Sequence, residues 1–194
     1  RSSDLPKEEL EDVNGIFFRK NNDIILSSNP KSVNGNKLDE ELGGYAWDLL
    51  PYKKKPFDLY RSPYWHAEYN ENFRSPYAAL QTSIGCQFGC EFCMINIINR
   101  TDNQKIGVAS DYSGMRWWSV ENTINNIKNL IDQEIYTIRF VDEMFLLNPK
   151  YYIPLCEQLS ELNKEDKFRF WAYSRIDTIK KYETLQLLRK AGFK

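Results

Sequence analysis

The stretch Ala78-Ala79-Leu80-Gln81-Thr82-Ser83-Ile84-Gly85-Cys86-Gln87-Phe88-Gly89-Cys90-Glu91-Phe92-Cys93 joins a strand to a loop of cysteines. Residues 78–84 read as a short strand that stops at Gly85. The loop then carries Cys-x3-Cys-x2-Cys, three thiols within eight residues. Three thiolates this crowded can hold three irons of a [4Fe–4S] cube, leaving the fourth iron open to another molecule. Structural zinc, the usual rival, wants four ligands, commonly as two separated pairs. The chain offers instead one triplet, a distant Cys156 and a single histidine, His66. Disulfides would leave an odd thiol in the loop, and three unconnected core thiols are the remaining alternative. Cys86, Cys90 and Cys93 are the candidate metal ligands.

Downstream, Met94 to Met115 reads as a long loop with an insertion around Asn99–Gly114. Ser119 can then cap a helix whose apolar residues Val120, Ile124, Ile127 and Ile131 recur at helical spacing. Thr137–Val141 reads as a second strand running into Asp142-Glu143. Asn148-Pro149 predicts a cap followed by proline at the first helical position. The stripe Tyr152, Leu155, Cys156, Leu159 and Leu162 comes next, with Pro154 expected to kink that helix or delay its start. Cys156 lies on the stripe and reads as a structural thiol. Phe168–Tyr173 is a third strand, ending at Ser174-Arg175-Ile176-Asp177. A third helix is expected to put Ile179, Tyr182, Leu185 and Leu188 on one face and to stop at Gly192. Strand and helix thus alternate three times, which predicts an α/β fold with a parallel sheet, as a barrel or a doubly wound sheet. Ligands in such arrays sit at the carboxyl ends of the strands. The cysteine loop, Asp142-Glu143 and Ser174-Arg175 all fall there.

Upstream, Lys7–Val13 reads as a short acidic helix and residues 15–27 as a β-hairpin around Lys20-Asn21-Asn22-Asp23. Residues 30–76 are irregular and rich in Pro, Tyr, Trp and Phe. They are too aromatic for a solvated linker and predict a segment packed across a larger body. The Lys53-Lys54-Lys55 run reads as a solvated loop.

The chain has 194 residues and a net charge of −1, so no global basic field points to nucleic acid. No apolar run approaches the length that spans a bilayer, and the polar start Arg1-Ser2-Ser3-Asp4 is no signal peptide. These features predict a soluble, cytoplasmic protein without a membrane partner. A reducing compartment also suits thiolate–iron chemistry.

Gly85-Cys86-Gln87-Phe88-Gly89-Cys90-Glu91-Phe92-Cys93 resembles the signature of radical S-adenosylmethionine (radical SAM) enzymes. The likeness continues through Arg116-Trp117-Trp118-Ser119, Phe140-Val141-Asp142-Glu143-Met144-Phe145, Trp171-Ala172-Tyr173-Ser174-Arg175-Ile176-Asp177 and Leu187-Leu188-Arg189-Lys190-Ala191-Gly192. These stretches are similar to the branch whose members carry a cobalamin-binding domain before the radical domain. Gly44-Tyr45-Ala46-Trp47-Asp48-Leu49-Leu50-Pro51 resembles the connector those members place before the barrel. The hairpin resembles the segment directly after their cobalamin domain. The resemblance implies a partial (β/α) barrel of the radical SAM type with three βα units. Residues 77–194 would be the N-terminal half of the core domain, and residues 1–76 a connector region with a short helix and a β-hairpin. The chain holds no Asp-x-His-x-x-Gly cobalamin signature, since His66 lies between Tyr64-Trp65 and Ala67-Glu68. Cobalamin would therefore enter only through a domain absent from this chain. Three units where the family's barrel has six imply a fragment with an unpaired sheet edge.

By the same resemblance, Cys86, Cys90 and Cys93 ligate a [4Fe–4S] cluster whose open iron binds S-adenosylmethionine. An electron donor such as flavodoxin or ferredoxin would reduce the cluster. Reductive cleavage would then give a 5′-deoxyadenosyl radical for use on an unknown substrate, in cobalamin-dependent methylation or a rearrangement. Phe92 resembles the residue that packs near the adenine, with plain loop packing as the alternative. Asp142 and Glu143 correspond to contacts of the methionyl amino group; a solvated strand end or a helix cap is the alternative. Ser174 and Arg175 end the third strand, where Arg175 could pair with the methionyl carboxylate or with Asp177 or Asp142 instead. Gly85 and Gly89 would let the backbone turn around the cluster. No catalytic residue is identified on the chain. Two other functions stay open. A methylthiotransferase would carry three further upstream cysteines, and none precedes Cys86. A metal-stabilised binding module would bind metal without turnover.

Overall fold

The computed structural model describes residues 10–27, 33–49, 76–88, 90, 92–93, 115–179 and 181–194. They belong to two compact units: Arg1–Asn34 with Gln87–Gly114, and Gly35–Cys86 with Met115–Lys194. The first part of the acidic helix, the insertion at 99–114, the aromatic stretch 50–75 with His66 and Lys53–Lys55, and Gly89 lie outside the described residues.

In the first unit a 3₁₀ turn, Leu10–Asp12, precedes the antiparallel hairpin β1 (Phe17–Lys20) and β2 (Asp23–Leu26). Lys20 pairs with Asp23 across the loop Asn21-Asn22, and Asn21 takes φ 56°, which asparagine tolerates. The open end is tied by Ile16 N to Ser27 Oγ at 3.0 Å and Ser27 N to Ile16 O at 3.0 Å. Lys20 and Glu11 form an exposed ion pair.

The second unit is built on a parallel sheet of β3 (Tyr77–Leu80), β6 (Thr137–Phe140) and β7 (Arg169–Ala172), in that spatial order. A small antiparallel pair, β4 (Ser83–Ile84) with β5 (Arg116–Trp117), stands beside it. The single strand expected over 78–84 is therefore two. Thr82 breaks it because its backbone leaves the sheet at both ends: its N–H donates to Asp142 and its carbonyl accepts from Trp118 N at 3.1 Å.

Residues 35–49 carry a short helix, α1 (Leu38–Glu41), between 3₁₀ turns. They pack on this body, whereas most of the remaining 30–76 stretch lies outside the described residues. Leu38 is fully buried, Trp118 Nε1 donates to Leu42 O at 2.8 Å, Ser119 N to Asp39 Oδ1 at 2.9 Å, and Asn126 Nδ2 to Gly43 O at 3.1 Å.

Helix α2 (Val120–Ile131) starts where Ser119 Oγ accepts Asn122 N at 3.0 Å. It buries Ile124, Ile127 and Leu130 against the sheet, each worth about 1.5–3 kcal/mol of apolar burial. Its last turn closes as a Schellman motif: Ile135 N donates to Leu130 O and Glu134 N to Ile131 O, with Glu134 at φ 63°. Helix α3 (Pro149–Leu162) is capped by Asn148 Oδ1 on Lys150 N at 3.1 Å. It begins at Pro149 and continues through Pro154, so the expected delay does not occur. The one hydrogen bond that Pro154 forgoes would have ended on Lys150 O, and Lys150 lies at the solvent.

Helix α4 (Tyr182–Ala191) ends in a second Schellman motif, with Gly192 at φ 114° and Phe193 N on Leu188 O at 3.0 Å. Its expected face is only partly correct. Leu188 and Ala191 are buried, while Tyr182 and Leu185 are 69% and 44% exposed. The helix packs chiefly on α3, and that contact leaves the N-terminal part of the stripe uncovered. The expected open edge of the sheet is covered on β7 at Phe170. Phe170 N donates to Gly192 O at 2.9 Å and Lys194 N to Phe170 O at 3.2 Å, so Phe193 pairs in parallel with β7. Its ring joins Phe140, Phe145 and Phe170 in the core.

The described residues form a mixed α/β structure around three parallel strands; they do not close into a barrel. No helix among them is long and apolar enough to cross a membrane.

The two Schellman ends give opposite expectations. A Cβ on Gly192 would sit 2.5 Å from Phe168 Cβ at a left-handed φ, so Gly192→Ala should cost about 1–3 kcal/mol. Glu134 pays the left-handed penalty without glycine, so Glu134→Gly should raise stability by a few tenths to about 1 kcal/mol. Chemical denaturation of both variants checks the signs.

Candidate functional site

The carboxyl ends of β3 and β6 meet at one buried carboxylate. Asp142 Oδ1 accepts Thr82 N at 3.0 Å, Thr82 Oγ1 at 2.8 Å and Ser83 Oγ at 2.6 Å. Val141 N donates to Leu80 O at 3.0 Å, which holds the two strand ends in register. Asp142 has no accessible surface, and its Oδ2 is buried without a hydrogen-bond partner. Burial pushes its carboxyl above the usual carboxylate range, against the opposing pull of the Ser83 and Thr82 hydrogen bonds. Glu143, half-buried beside it, is raised first by burial and further by the Asp142 charge, and its Oε2 also lacks a partner. Two orphaned acceptor oxygens thus lie at the end of β6.

Around this pair stand residues that the sequence reading missed. Tyr151 of α3 shares a 2.9 Å hydrogen bond with Thr123 of α2, and burial pushes its phenol up to about 12. Tyr45 OH accepts Gln81 N at 3.2 Å and stacks on Trp47 at 4.7 Å. No local pattern marks these residues, because their partners come from distant segments. Only the polar pair Thr82-Ser83, inside a strand just before a glycine, hinted at a break.

At the end of β7, Tyr173 O accepts Phe145 N at 3.0 Å. Ser174 Oγ lies 2.9 Å from Thr178 Oγ1, within a turn over Ile176–Thr178. Arg175 grips Asp177 with both arms of its fork, Nε to Oδ1 at 3.0 Å and Nη2 to Oδ2 at 2.7 Å. This is one of the partners the sequence allowed, and as an exposed pair it is worth under about 1 kcal/mol. On the sheet's other face, Arg139 sits 4.9 Å from the Trp171 ring and 5.3 Å from the Tyr173 ring.

The boundary between the two compact units falls within the cysteine motif, after Cys86. In the second unit, Gly85 is buried with φ 95°, a conformation glycine adopts without strain, and Cys86 comes next, half-buried. In the first unit, Cys93 N donates to Cys90 O at 3.0 Å, so those two cysteines bracket a turn, and Phe92 within it is 92% exposed. All three thiols are free and partly accessible, unlike the buried Cys156, whose thiol desolvation pushes up to about 12. By kind and spacing this donor set fits an iron–sulfur cluster. Among the described residues, no group of three or more His, Cys, Asp or Glu side chains gathers closely enough to hold a metal ion.

The sequence matches no protein-family profile and no curated protein. Among solved structures it is similar to the radical S-adenosylmethionine methyltransferase TsrM from Kitasatospora setae, with cobalamin and a [4Fe–4S] cluster bound. The TM-score is 0.48 at 17% identity, over 61% of this chain and 21% of that one. The same enzyme with tryptophan substrate and the SAM analogue aza-SAM gives a TM-score of 0.48 and 17% identity, over 61% and 20%. The chain therefore spans about a fifth of those proteins' length. So partial a superposition establishes neither a shared fold nor a shared function.

The raised Asp142 carboxyl has a consequence for stability. Its proton is held more tightly in the folded state, so ionising it opposes folding as pH rises from about 4 to its higher folded value. Wild type should lose stability relative to Asp142→Asn across that window. Denaturation midpoints at a series of pH values read the difference, and a constant offset would contradict it.

Proposed function

We propose that the chain is part of a radical SAM enzyme in which Cys86, Cys90 and Cys93 hold a [4Fe–4S] cluster. The observation that carries this reading is the position of the motif. It begins directly beyond the first of three parallel strands in sequential order, at the end where βα arrays take their ligands. The chemistry such a cluster supplies is one-electron reductive cleavage of S-adenosylmethionine.

The chain's own residues would bind and orient that molecule. Glu143, half-buried and with a buried Oε2 that has no donor, suits an ammonium donor such as the methionyl amino group. The Arg175–Asp177 pair is exposed and weak, so a ligand carboxylate can compete with Asp177 for the fork. Ser174, hydrogen-bonded to Thr178, stands at the same strand end with an oxygen that can still accept. The exposed Phe92 has a free face for an adenine ring. Reduction calls for an electron donor of the flavodoxin or ferredoxin kind, and a reducing cytoplasmic setting suits the free thiols. The finer reading is the cobalamin-associated branch, with methylation or a radical rearrangement as the reaction. It is supported by the likeness of Gly44–Pro51 to that branch's connector. Any cobalamin would come through a domain outside this chain.

Anaerobic reconstitution of the intact protein with iron and sulfide, then reduction with S-adenosylmethionine, tests the proposal. The expected product is 5′-deoxyadenosine. Cys90→Ala should abolish cluster and cleavage together, while Cys156→Ala should spare both. A colourless protein that takes up stoichiometric zinc would make the chain a metal-stabilised binding module instead.

A further inference from the structure

The two carboxylates that end β6 differ in what their oxygens can still do. Asp142 Oδ1 already accepts three hydrogen bonds, more than its two lone pairs serve individually. Those bonds all go to Thr82 and Ser83. From Ser83 the chain passes through the β4–β5 pair, reverses at Gly85 with φ 95°, and reaches Cys86. Three residues of chain span at most about 10 Å, so fixing Ser83 closely limits where Cys86 can lie. Tyr151 of α3, hydrogen-bonded to Thr123 of α2, lies close enough to Thr82 and Asp142 to feel both. Each carboxylate keeps one oxygen without a donor, but Asp142 is closed off, with no accessible surface, whereas Glu143 is only partly buried.

We propose that Asp142 is a positioning residue whose Oδ1 fixes the Thr82–Ser83 break and so the approach of the chain to Cys86, leaving Glu143 as the carboxylate that meets the ligand. The Glu143 half rests on the radical SAM reading; the Asp142 half stands on the hydrogen bonds alone. Asparagine is the informative replacement. It keeps the Oδ1 acceptor and alters only the oxygen that has no partner, and a neutral side chain suits a site where burial already disfavours the charge.

In cluster-free protein, peptide-resolved alkylation by iodoacetamide should modify Cys86 about tenfold faster in Asp142→Ala than in wild type, as expected for a lost buried hub. Asp142→Asn should stay within about twofold of wild type, since it keeps that hub's acceptor. If Asp142→Ala does not fold, the double variant Thr82→Val with Ser83→Ala removes two of the donors and should show the same acceleration. In reconstituted protein, Glu143→Gln should weaken S-adenosylmethionine binding about tenfold or more, while Asp142→Asn changes it by less than about threefold. Two results would overturn the proposal: alkylation of Cys86 unchanged when the hub is removed, or Asp142→Asn weakening binding as much as Glu143→Gln. Should the wild type take up no cluster, the radical SAM reading fails, and the alkylation comparison still decides the positioning role.

Discussion

One oxygen atom organises the carboxyl edge of the sheet. Asp142 Oδ1 gathers a backbone N–H and two hydroxyls from Thr82 and Ser83, so the end of β6 dictates where β3 stops and β4 begins. In a low-dielectric interior these bonds are strong, and leaving their donors unmatched would cost about 1–3 kcal/mol each. The arrangement carries its own cost in the bare Oδ2. A carboxylate so situated persists only where the surrounding packing over-determines it, and here α2, α3 and both strands enclose it. The connector docks one residue upstream, where Tyr45 accepts Gln81 N. The strand break, the connector and the entry to the cysteine loop thus share one anchor.

What the sequence made legible was what short-range chemistry decides. Ser119, Asn148-Pro149 and Gly192 announce helix ends because the bonds that define them close within a few residues. The parallel sheet was readable from alternating periodicities joined by long connections. The errors lie where a distant partner overrides the local pattern. Residues 78–84 read as one strand until a carboxylate sixty positions away claims Thr82. Tyr182 and Leu185 have the right spacing for a buried face, but spacing cannot say how much of that face a neighbouring helix covers. Pro154 is tolerated because the carbonyl it leaves unserved sits at the solvent.

The candidate site divides the same way. Residue types were readable: thiols in a tight loop, carboxylates after one strand, an arginine after another. Their partners were not. Nothing local separates Asp142 from Glu143, yet one is sealed and binds three donors through one oxygen while the other is only half-buried. Arg175 could be named from its place after β7, but only geometry shows its fork closed on Asp177. Tyr45, Thr123 and Tyr151 carry no motif, since their roles exist only once several segments meet.

The parallel bridge between Phe170 and Phe193 bears on how such a sheet assembles. β6 aligns on β3, β7 aligns on β6, and the residues after α4 align on β7. Each addition therefore finds its template already synthesised, and α4 and its Gly192 turn deliver the next residues to the growing edge. Assembly of this kind can advance from the N-terminal side while the polypeptide is still emerging from the ribosome. The pairing of Ser83–Ile84 with Arg116–Trp117 closes a shorter loop than the pairing of β3 with β6, and the entropic cost of closure rises with loop length. Trp117 is also made before Thr137, so the segment that leads to the cysteines meets its partner earlier than the strand before it does.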